Sequence, residues 1–380
     1  MLHHQTLMCL LLLFCLLGVP SEGAGYWQTQ RKGANCFNQT PSEKWFVAAK
    51  SAGIELVRLA PDRWESGERD FLIGNADAYK GLSLDDLQKL KEALDHAEKY
   101  EIKVVLTLLS LPGSRWKQNN KGIDDLRIWE NREYREQAIQ YWGDLAKELK
   151  DHPALVGYNI LNEPHPEKLW GKIGFRNNRK FLERGGRLLS EFYENIIGAI
   201  REVDPHTPIV LDTGLHATPW AIEFLHPLPF PNLLYSFHMY EPYRYTTRRI
   251  NQGRFAYPGT IPNPTLEWDK GALEEFFRPI SIWQEKHNIP ASQIFVGEFG
   301  CDRTAQGAER YLGDLIEIFN EKGWHWAFYA FREDVWDSMD YELGSGRLSW
   351  GYWKAVEERG DLSPFRTDGP IFQVLLEALK

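Results

Sequence analysis

Two glutamates in this sequence each mark the end of an apolar run that resembles a buried strand. Glu163 follows residues 155–161 and Asn162, and Glu298 lies near the end of the run 294–299. Two carboxyl groups at one rim can act as a pair, with one protonated and the other ionised. Cleavage of a glycosidic bond needs such a pair, because the acid protonates the leaving oxygen while the carboxylate attacks or stabilises the anomeric carbon. Taken singly, each glutamate could equally cap the following helix or pair with an arginine.

Short apolar runs alternate with stretches of helical spacing along the chain. This alternation predicts a closed (β/α)8 TIM barrel in a single domain, and the alternative is an open doubly wound sheet, although no GxGxxG turn follows any strand. Barrel active sites lie at the carboxyl ends of the strands, so both glutamates fall where chemistry is expected. The predicted strands span residues 32–37, 54–60, 102–109, 155–161, 209–213, 233–239, 294–299 and 325–331, and the predicted helices lie near residues 42–52, 84–97 (with Ser83 as N-cap), 131–150, 180–203, 217–224, 273–287, 308–322 and 370–379.

The composition is that of a globular protein with a substantial core. Hydrophobic residues make up 43% of the 380 residues, and the net charge of −9 comes without a basic block, which excludes nucleic acid as an expected partner. The 15 tryptophans, 16 tyrosines and 20 phenylalanines exceed what a core alone requires, so some are expected to stack on a ligand. The tryptophans nearest to predicted strand ends are Trp64, Trp116, Trp170, Trp220 and Trp336, with packing between helices and barrel as their alternative role.

The first residues are predicted to be a secretory signal peptide. Residues 7–19 form a nearly unbroken apolar run without charge, and small residues follow it. A run of this length is too short to span a bilayer comfortably, so a signal peptide over residues 1–23 is favoured over a membrane anchor. We therefore expect a secreted protein, extracellular or periplasmic, without stable membrane association. Only Cys36 and Cys301 remain after residue 23, and whether they pair is left open.

The segment Asn162-Glu163-Pro164, joined by Glu298 in a later strand, resembles glycoside hydrolase family 5. The resemblance covers most of residues 30–335 and makes residues 24–380 the expected catalytic domain. It implies a retaining double displacement with Glu163 as general acid/base and Glu298 as nucleophile, and hence carboxyl groups about 5 Å apart. It further implies that Asn162 hydrogen-bonds the 2-hydroxyl of the sugar.

Other strand ends match the same family. Arg58 resembles the second-strand arginine that hydrogen-bonds the nucleophile and holds it ionised, with a structural ion pair as the alternative. His238 and Tyr240 resemble the sixth-strand His-x-Tyr, which implies that His238 lines the cleft and Tyr240 donates its hydroxyl to Glu298. In the eighth strand the family usually carries a tryptophan that forms the floor under the sugar. Tyr329 is the nearest match to it here, and Trp326 is the second choice.

One further departure concerns the third strand, where Leu109 stands at the position of a family histidine. This departure leaves the polysaccharide unassigned but does not touch the carboxyl pair. The predicted function is hydrolysis of a β-linked oligo- or polysaccharide, foremost as an endo-β-1,4-glucanase. The alternatives are a β-mannanase, a β-1,3-glucanase, a glycosylceramidase or a barrel that only binds carbohydrate. No metal or organic cofactor is expected, because no CxxC, HExxH, EF-hand loop or P-loop appears.

Overall fold

Eight parallel strands close into a barrel in the computed structural model, which describes residues 25–171, 179–262, 266–333, 338–358 and 360–380. Each strand pairs with the next one along the chain, and the last pairs with the first. This closure confirms the TIM-barrel prediction, and the alternative of an open sheet is wrong. The predicted signal peptide lies outside the described residues. The strands are β1 (Lys32–Cys36), β2 (Leu56–Leu59), β3 (Lys103–Thr107), β4 (Leu155–Asn159), β5 (Ile209–Asp212), β6 (Leu233–Met239), β7 (Ile294–Phe299) and β8 (His325–Phe328).

The helices surround the barrel and, among the described residues, none is long and apolar enough to cross a membrane. Those of eight or more residues are α1 (Glu43–Ser51), α2 (Leu84–Lys99), α3 (Arg132–Leu149), α4 (Arg179–Val203), α5 (Lys270–His287), α6 (Ala308–Lys322), α7 (Trp350–Glu357) and α8 (Pro370–Leu379). Shorter helical turns, 3₁₀ segments and an antiparallel ribbon of Gly259–Ile261 with Leu266–Trp268 lie in the loops.

The barrel interior is filled by one side chain from almost every strand. These side chains pack together with Trp27, whose indole nitrogen donates to the carbonyl of Val156 at 2.9 Å. Apolar side chains on the opposite face of the strands pack against the helices, as strands buried on both faces require. The inward set comprises Leu56, Val105, Val156, Val210, Leu234, Phe295 and Ala327.

One question that the sequence left open is answered by the structure, and two expectations about local structure need correction. Cys36 and Cys301 are both buried and both free, so they form no disulfide. Ser83 precedes α2 but makes no side-chain cap, and the carboxylate of Asp86 accepts a hydrogen bond from Ser66. The predicted helix over residues 217–224 is a 3₁₀ helix, Pro219–Phe224.

Close packing against α4 accounts for where this 3₁₀ helix lies. A Cβ on Gly186 of α4 would come within 2.1 Å of the carbonyl oxygen of Phe224, so the two segments touch through their backbones. Gly198, farther along α4, would place its Cβ with nothing within 4 Å. Packing therefore requires the glycine at position 186 but not the glycine at position 198 of the same helix.

We predict opposite effects of an alanine at these two positions. Gly186→Ala should lower the free energy of unfolding by about 1–3 kcal/mol, because the new methyl group overpacks the contact with Phe224. Gly198→Ala should raise it by about 0.5–1 kcal/mol, since alanine loses less backbone entropy than glycine in a helix. Denaturant titrations followed by circular dichroism would measure both, and a shift of the same sign in the two variants would contradict the packing assignment.

Candidate active site

The two predicted glutamates meet at the carboxyl end of the barrel. Glu298 lies in β7, where it pairs with His238 of β6, and Glu163 stands just beyond β4. One carboxylate oxygen of Glu163, one of Glu298 and a ring nitrogen of His238 all lie within 4.8 Å of one another. Both glutamates line a cavity of about 430 Å³.

Both oxygens of Glu298 accept a strong hydrogen bond. Arg58 donates from Nη1 to Oε1 at 2.7 Å, and the Tyr240 hydroxyl donates to Oε2 at 2.8 Å. Burial, followed by the charge of Glu298, raises the pKa of Tyr240 well above its usual value, so the hydroxyl keeps its proton. These two donors fix the carboxylate in one orientation, as predicted for Arg58 and Tyr240.

Arg58 is fully buried, and its hydrogen bonds reach side chains of five other strands, β1, β3, β4, β5 and β7. Its Nε and Nη2 donate to Asn159 Oδ1 at 2.9 and 2.7 Å, and Nη2 also reaches Asp212 Oδ2 at 3.3 Å. A second Nη2 bond, of 2.8 Å, goes to Asn162 Oδ1, and Asn162 also lines the cavity. The guanidinium therefore orients β4 and the end of β5 as well as Glu298.

Asp212 and Asn159 are site residues that the sequence analysis missed. Asp212 accepts a hydrogen bond from the backbone nitrogen of Glu163 at 3.1 Å, which fixes the backbone of that glutamate. Asn159 donates Nδ2 to Asp212 Oδ1 at 3.3 Å. The sequence did contain a signal for Asp212, which is a charged residue at the end of an apolar strand. Asp212 ends β5 just as Glu163 follows β4.

Glu163 is the more exposed of the two carboxylates, with 30% of its side chain accessible against 7% for Glu298. Its Oε1 lies 2.9 Å from Nδ1 of His238. Burial alone lowers the pKa of His238, but Glu298, Asp212 and the bond to Glu163 outweigh it and raise the pKa. His238 is buried beneath the carboxylates, so it supports the cleft from below rather than lining it as predicted.

At the eighth strand the structure selects Tyr329 and rejects Trp326. Tyr329 lines the cavity, and its hydroxyl accepts a hydrogen bond from Asn38 Nδ2 at 2.8 Å. Trp326 is fully buried on the outer face of β8, where it packs on Phe299 with ring centroids 5.7 Å apart. Strand alternation explains the difference, since Ala327 points into the barrel and places its neighbour Trp326 outside. The second choice for this position was wrong.

The cavity wall beside the carboxylates is partly apolar. Leu109 lines it in place of the family histidine, and the backbone nitrogen of Leu109 donates to Asp62 Oδ2 at 2.9 Å.

Among the tryptophans, Trp116 and Trp129 line the cavity, and Trp129 had not been singled out from the sequence. Of the other candidates, Trp64 is buried in the core, Trp170 and Trp220 are not among the lining residues, and Trp336 lies outside the described residues.

Two groups of described side chains have the types and spacing of metal ligands. One is Glu163, His238 and Glu298, and the other is Asp95, Glu98 and His152 on the surface. In the first group, Arg58 and Tyr240 donate to Glu298, and His238 contacts Glu163. Such contacts orient a carboxylate pair for acid–base and nucleophilic work.

Known proteins resemble this chain over most of its length. The family model Cellulase (glycosyl hydrolase family 5) matches residues 21–334. A β-xylosidase of Phanerodontia chrysosporium is 24% identical over 80% of this chain, and the match spans 54% of that relative, about half its length. Endoglucanase C of Acetivibrio thermocellus is 22% identical over 81% of this chain and 87% of its own.

Solved structures share the fold. Thermotoga maritima Cel5A, crystallised with a mannotriose substrate, superposes with a TM-score of 0.64 at 19% identity, covering 94% of this chain and all of that one. The match to the family model covers the barrel and both glutamates, and the observed fold agrees with it. The chain therefore belongs to the cellulase family, glycosyl hydrolase family 5.

Proposed function

We propose that this protein is a retaining β-glycosidase in which Glu298 is the nucleophile and Glu163 the general acid/base. The observation that carries the proposal is the distance of at most 4.8 Å between carboxylate oxygens of Glu163 and Glu298. Retaining enzymes hold their carboxyl groups about 5–5.5 Å apart, whereas inverting enzymes need about 6.5–9.5 Å to admit a water molecule. The pair is too close for the inverting arrangement.

The unequal surroundings of the two glutamates support this division of roles. Glu298 is nearly buried and accepts from Arg58 and Tyr240, an arrangement that favours a fixed, ionised carboxylate. Glu163 has no arginine partner among the described residues and faces the cavity more openly, which suits a group that exchanges protons with substrate and water.

The reaction then runs in two balanced steps. In the first, Glu298 forms a bond to the anomeric carbon, the glycosidic bond breaks, and Glu163 gives its proton to the departing oxygen. In the second, Glu163 takes a proton from water, the water oxygen bonds to the anomeric carbon, and Glu298 is released. Both steps use the same two carboxyl groups, with Glu163 changing from acid to base.

As substrate we propose a β-1,4-glucan cleaved within the chain, and as location the outside of the cell or the periplasm. The relative named endoglucanase C, which this chain spans almost completely, supports the substrate assignment. The cavity tryptophans offer stacking surfaces for consecutive sugars. The apolar run at residues 7–19 supports the location. Mannan and β-1,3-glucan use the same carboxyl chemistry and belong in the test.

The first prediction concerns stereochemistry. Because the carboxylates are close enough for direct attack, the first-formed product should keep the β configuration at the anomeric carbon. NMR spectra recorded in the first minutes of hydrolysis would show the β anomer before mutarotation. An initial α anomer would show that the geometry supports inversion instead.

The second prediction tests the nucleophile and names the polymer. Wild-type protein should release reducing sugar from one of soluble β-1,4-glucan, mixed-linkage glucan, β-mannan or β-1,3-glucan. Glu298→Gln should lose about 10⁴-fold or more of this activity, because an amide cannot form the glycosyl ester. Oligosaccharide binding by the variant, measured by calorimetry, should persist.

Release that survives in Glu298→Gln would exclude Glu298 as the nucleophile. If the wild-type protein releases nothing from any of the polymers, glycosylceramides are the next substrates to assay. Inactivity on those as well would favour a barrel that only binds carbohydrate.

The third prediction separates the acid role of Glu163 from its role in binding. Glu163→Ala should slow hydrolysis of an oligosaccharide by a factor on the order of 10³, because the sugar alkoxide leaves poorly without a proton. A 2,4-dinitrophenyl glycoside should form the glycosyl-enzyme almost normally, and added azide should restore its turnover as a β-glycosyl azide. Equal loss on both substrates, without rescue by azide, would contradict the acid role.

A further inference from the structure

We propose that His216, stacked on His165, binds the sugar that departs with the proton of Glu163. This inference rests on the proposed function and adds a specificity-determining residue to it. The two imidazoles are called the leaving-group pair below. Both line the cavity that contains the two glutamates.

The two oxygens of Glu163 have different neighbours. Oε1 lies 2.9 Å from Nδ1 of the buried His238. Oε2 lies 4.0 Å from Nδ1 of His216, which is half-exposed in the cavity. The oxygen that can reach a ligand is therefore Oε2, and a glycosidic oxygen protonated by it would place its departing sugar beside His216.

The leaving-group pair offers neutral, flat surfaces at this position. The rings stack with centroids 4.4 Å apart and planes 24° apart, and His165 Nδ1 lies 3.0 Å from the carbonyl oxygen of Glu163. Partial enclosure in the cleft, aided by the charge of Lys168, lowers the pKa of His216 below its usual value. Burial, aided by His216, lowers that of His165 to about 3.

At neutral pH both rings are therefore uncharged, and each neutral imidazole carries one donor and one acceptor. Such a pair suits sugar hydroxyls better than it suits an ion. The charged groups that face His216 are Glu163, Lys168, Asp124, Lys117 and His238.

The backbone under His216 adopts a conformation that has to be stabilised by its surroundings. Leu215, His216 and Ala217 have consecutive φ values of 51°, 60° and 57°, a left-handed backbone that side chains with a Cβ rarely adopt. The turn is held because Leu215 N donates to Glu167 Oε2 and His216 N donates to the carbonyl of Pro164, both at 3.2 Å. Three such residues in succession indicate a conformation retained for where it places a side chain.

The leaving-group pair and the residues Tyr329 and Asn38 lie on opposite sides of the cavity. Tyr329 and Asn38 belong to loops after β8 and β1, whereas His165 and His216 belong to loops after β4 and β5. The bond to be cleaved must lie between Glu163 and Glu298. A substrate chain that passes Tyr329 on one side of this bond therefore meets the leaving-group pair on the other.

The test substitutes His216 with asparagine, which tolerates left-handed backbone better than other side chains. For an oligosaccharide of the polymer that the enzyme hydrolyses, kcat/KM should fall by on the order of 10- to 100-fold, as expected for lost hydrogen bonds in a desolvated site. For the 2,4-dinitrophenyl glycoside, which has no sugar on that side, it should change by less than about threefold. His226→Asn, which alters an exposed histidine outside the cavity, should leave both values unchanged.

A second readout uses transfer to an added sugar. During turnover of the dinitrophenyl glycoside, a free disaccharide should compete with water for the glycosyl-enzyme, because it binds where the departing sugar was. His216→Asn should lower the ratio of transfer product to hydrolysis product by on the order of tenfold. A merely structural role would slow both routes equally and leave this ratio unchanged.

The outcomes are distinct. Equal loss on both substrates, or no loss on the oligosaccharide, would overturn the role of His216 while leaving the proposed function intact. Failure of the wild-type protein to turn over any dinitrophenyl glycoside would instead overturn the proposed function. If His216→Asn does not fold, His216→Gly relieves the backbone strain, removes the ring and is subject to the same two readouts.

Discussion

The active end of this barrel depends on the guanidinium of Arg58. It is fully buried, and its hydrogen bonds reach Glu298, Asn159 and Asn162 as well as the carboxylate of Asp212. A charge removed from water is tolerated only where its donors find acceptors, and here the acceptors come from β1, β3, β4, the segment after β4, β5 and β7. The same ion that must be neutralised by the fold therefore places the groups to which the chemistry is assigned in the proposed function.

The two glutamates have different surroundings, and this difference suits the two roles proposed for them. Glu298 is held by an arginine and a tyrosine whose pKa is raised by burial, whereas Glu163 shares a hydrogen bond with His238 and keeps one oxygen on the cavity. Asp212 couples the two, because it contacts the arginine that binds Glu298 and accepts from the backbone of Glu163. One ionic network therefore orients both carboxylates, the proposed nucleophile and the proposed general acid/base.

Much of the barrel could be predicted because buried parallel strands read as continuous apolar runs, and the site residues with recognisable neighbours could be found at their ends. What could not be predicted depends on contacts between segments far apart in sequence. The 3₁₀ helix at Pro219–Phe224 follows from the backbone approach of Gly186, which no local pattern reveals. Trp326 stayed a second choice beside Tyr329 because the sequence does not reveal which strand residue points inward. Once Ala327 is known to point into the barrel, strand alternation places Trp326 outside. Asn159 reads as an ordinary strand residue until its bonds to Arg58 are known, whereas Asp212 was marked only by its charge at the end of a strand.

The spread of the Arg58 partners along the chain has a consequence for how the molecule folds. Its ion pairs with Asp212 and Glu298 close sequence separations of 154 and 240 residues, so no local segment can neutralise the charge alone. Contacts of such long range form late, because the entropy of closing the intervening chain must be overcome first. In an incompletely closed barrel Arg58 is more stable in water than inside the sheet. We therefore expect the site around Glu163 and Glu298 to be completed only as the barrel closes, and a partly folded chain to lack both.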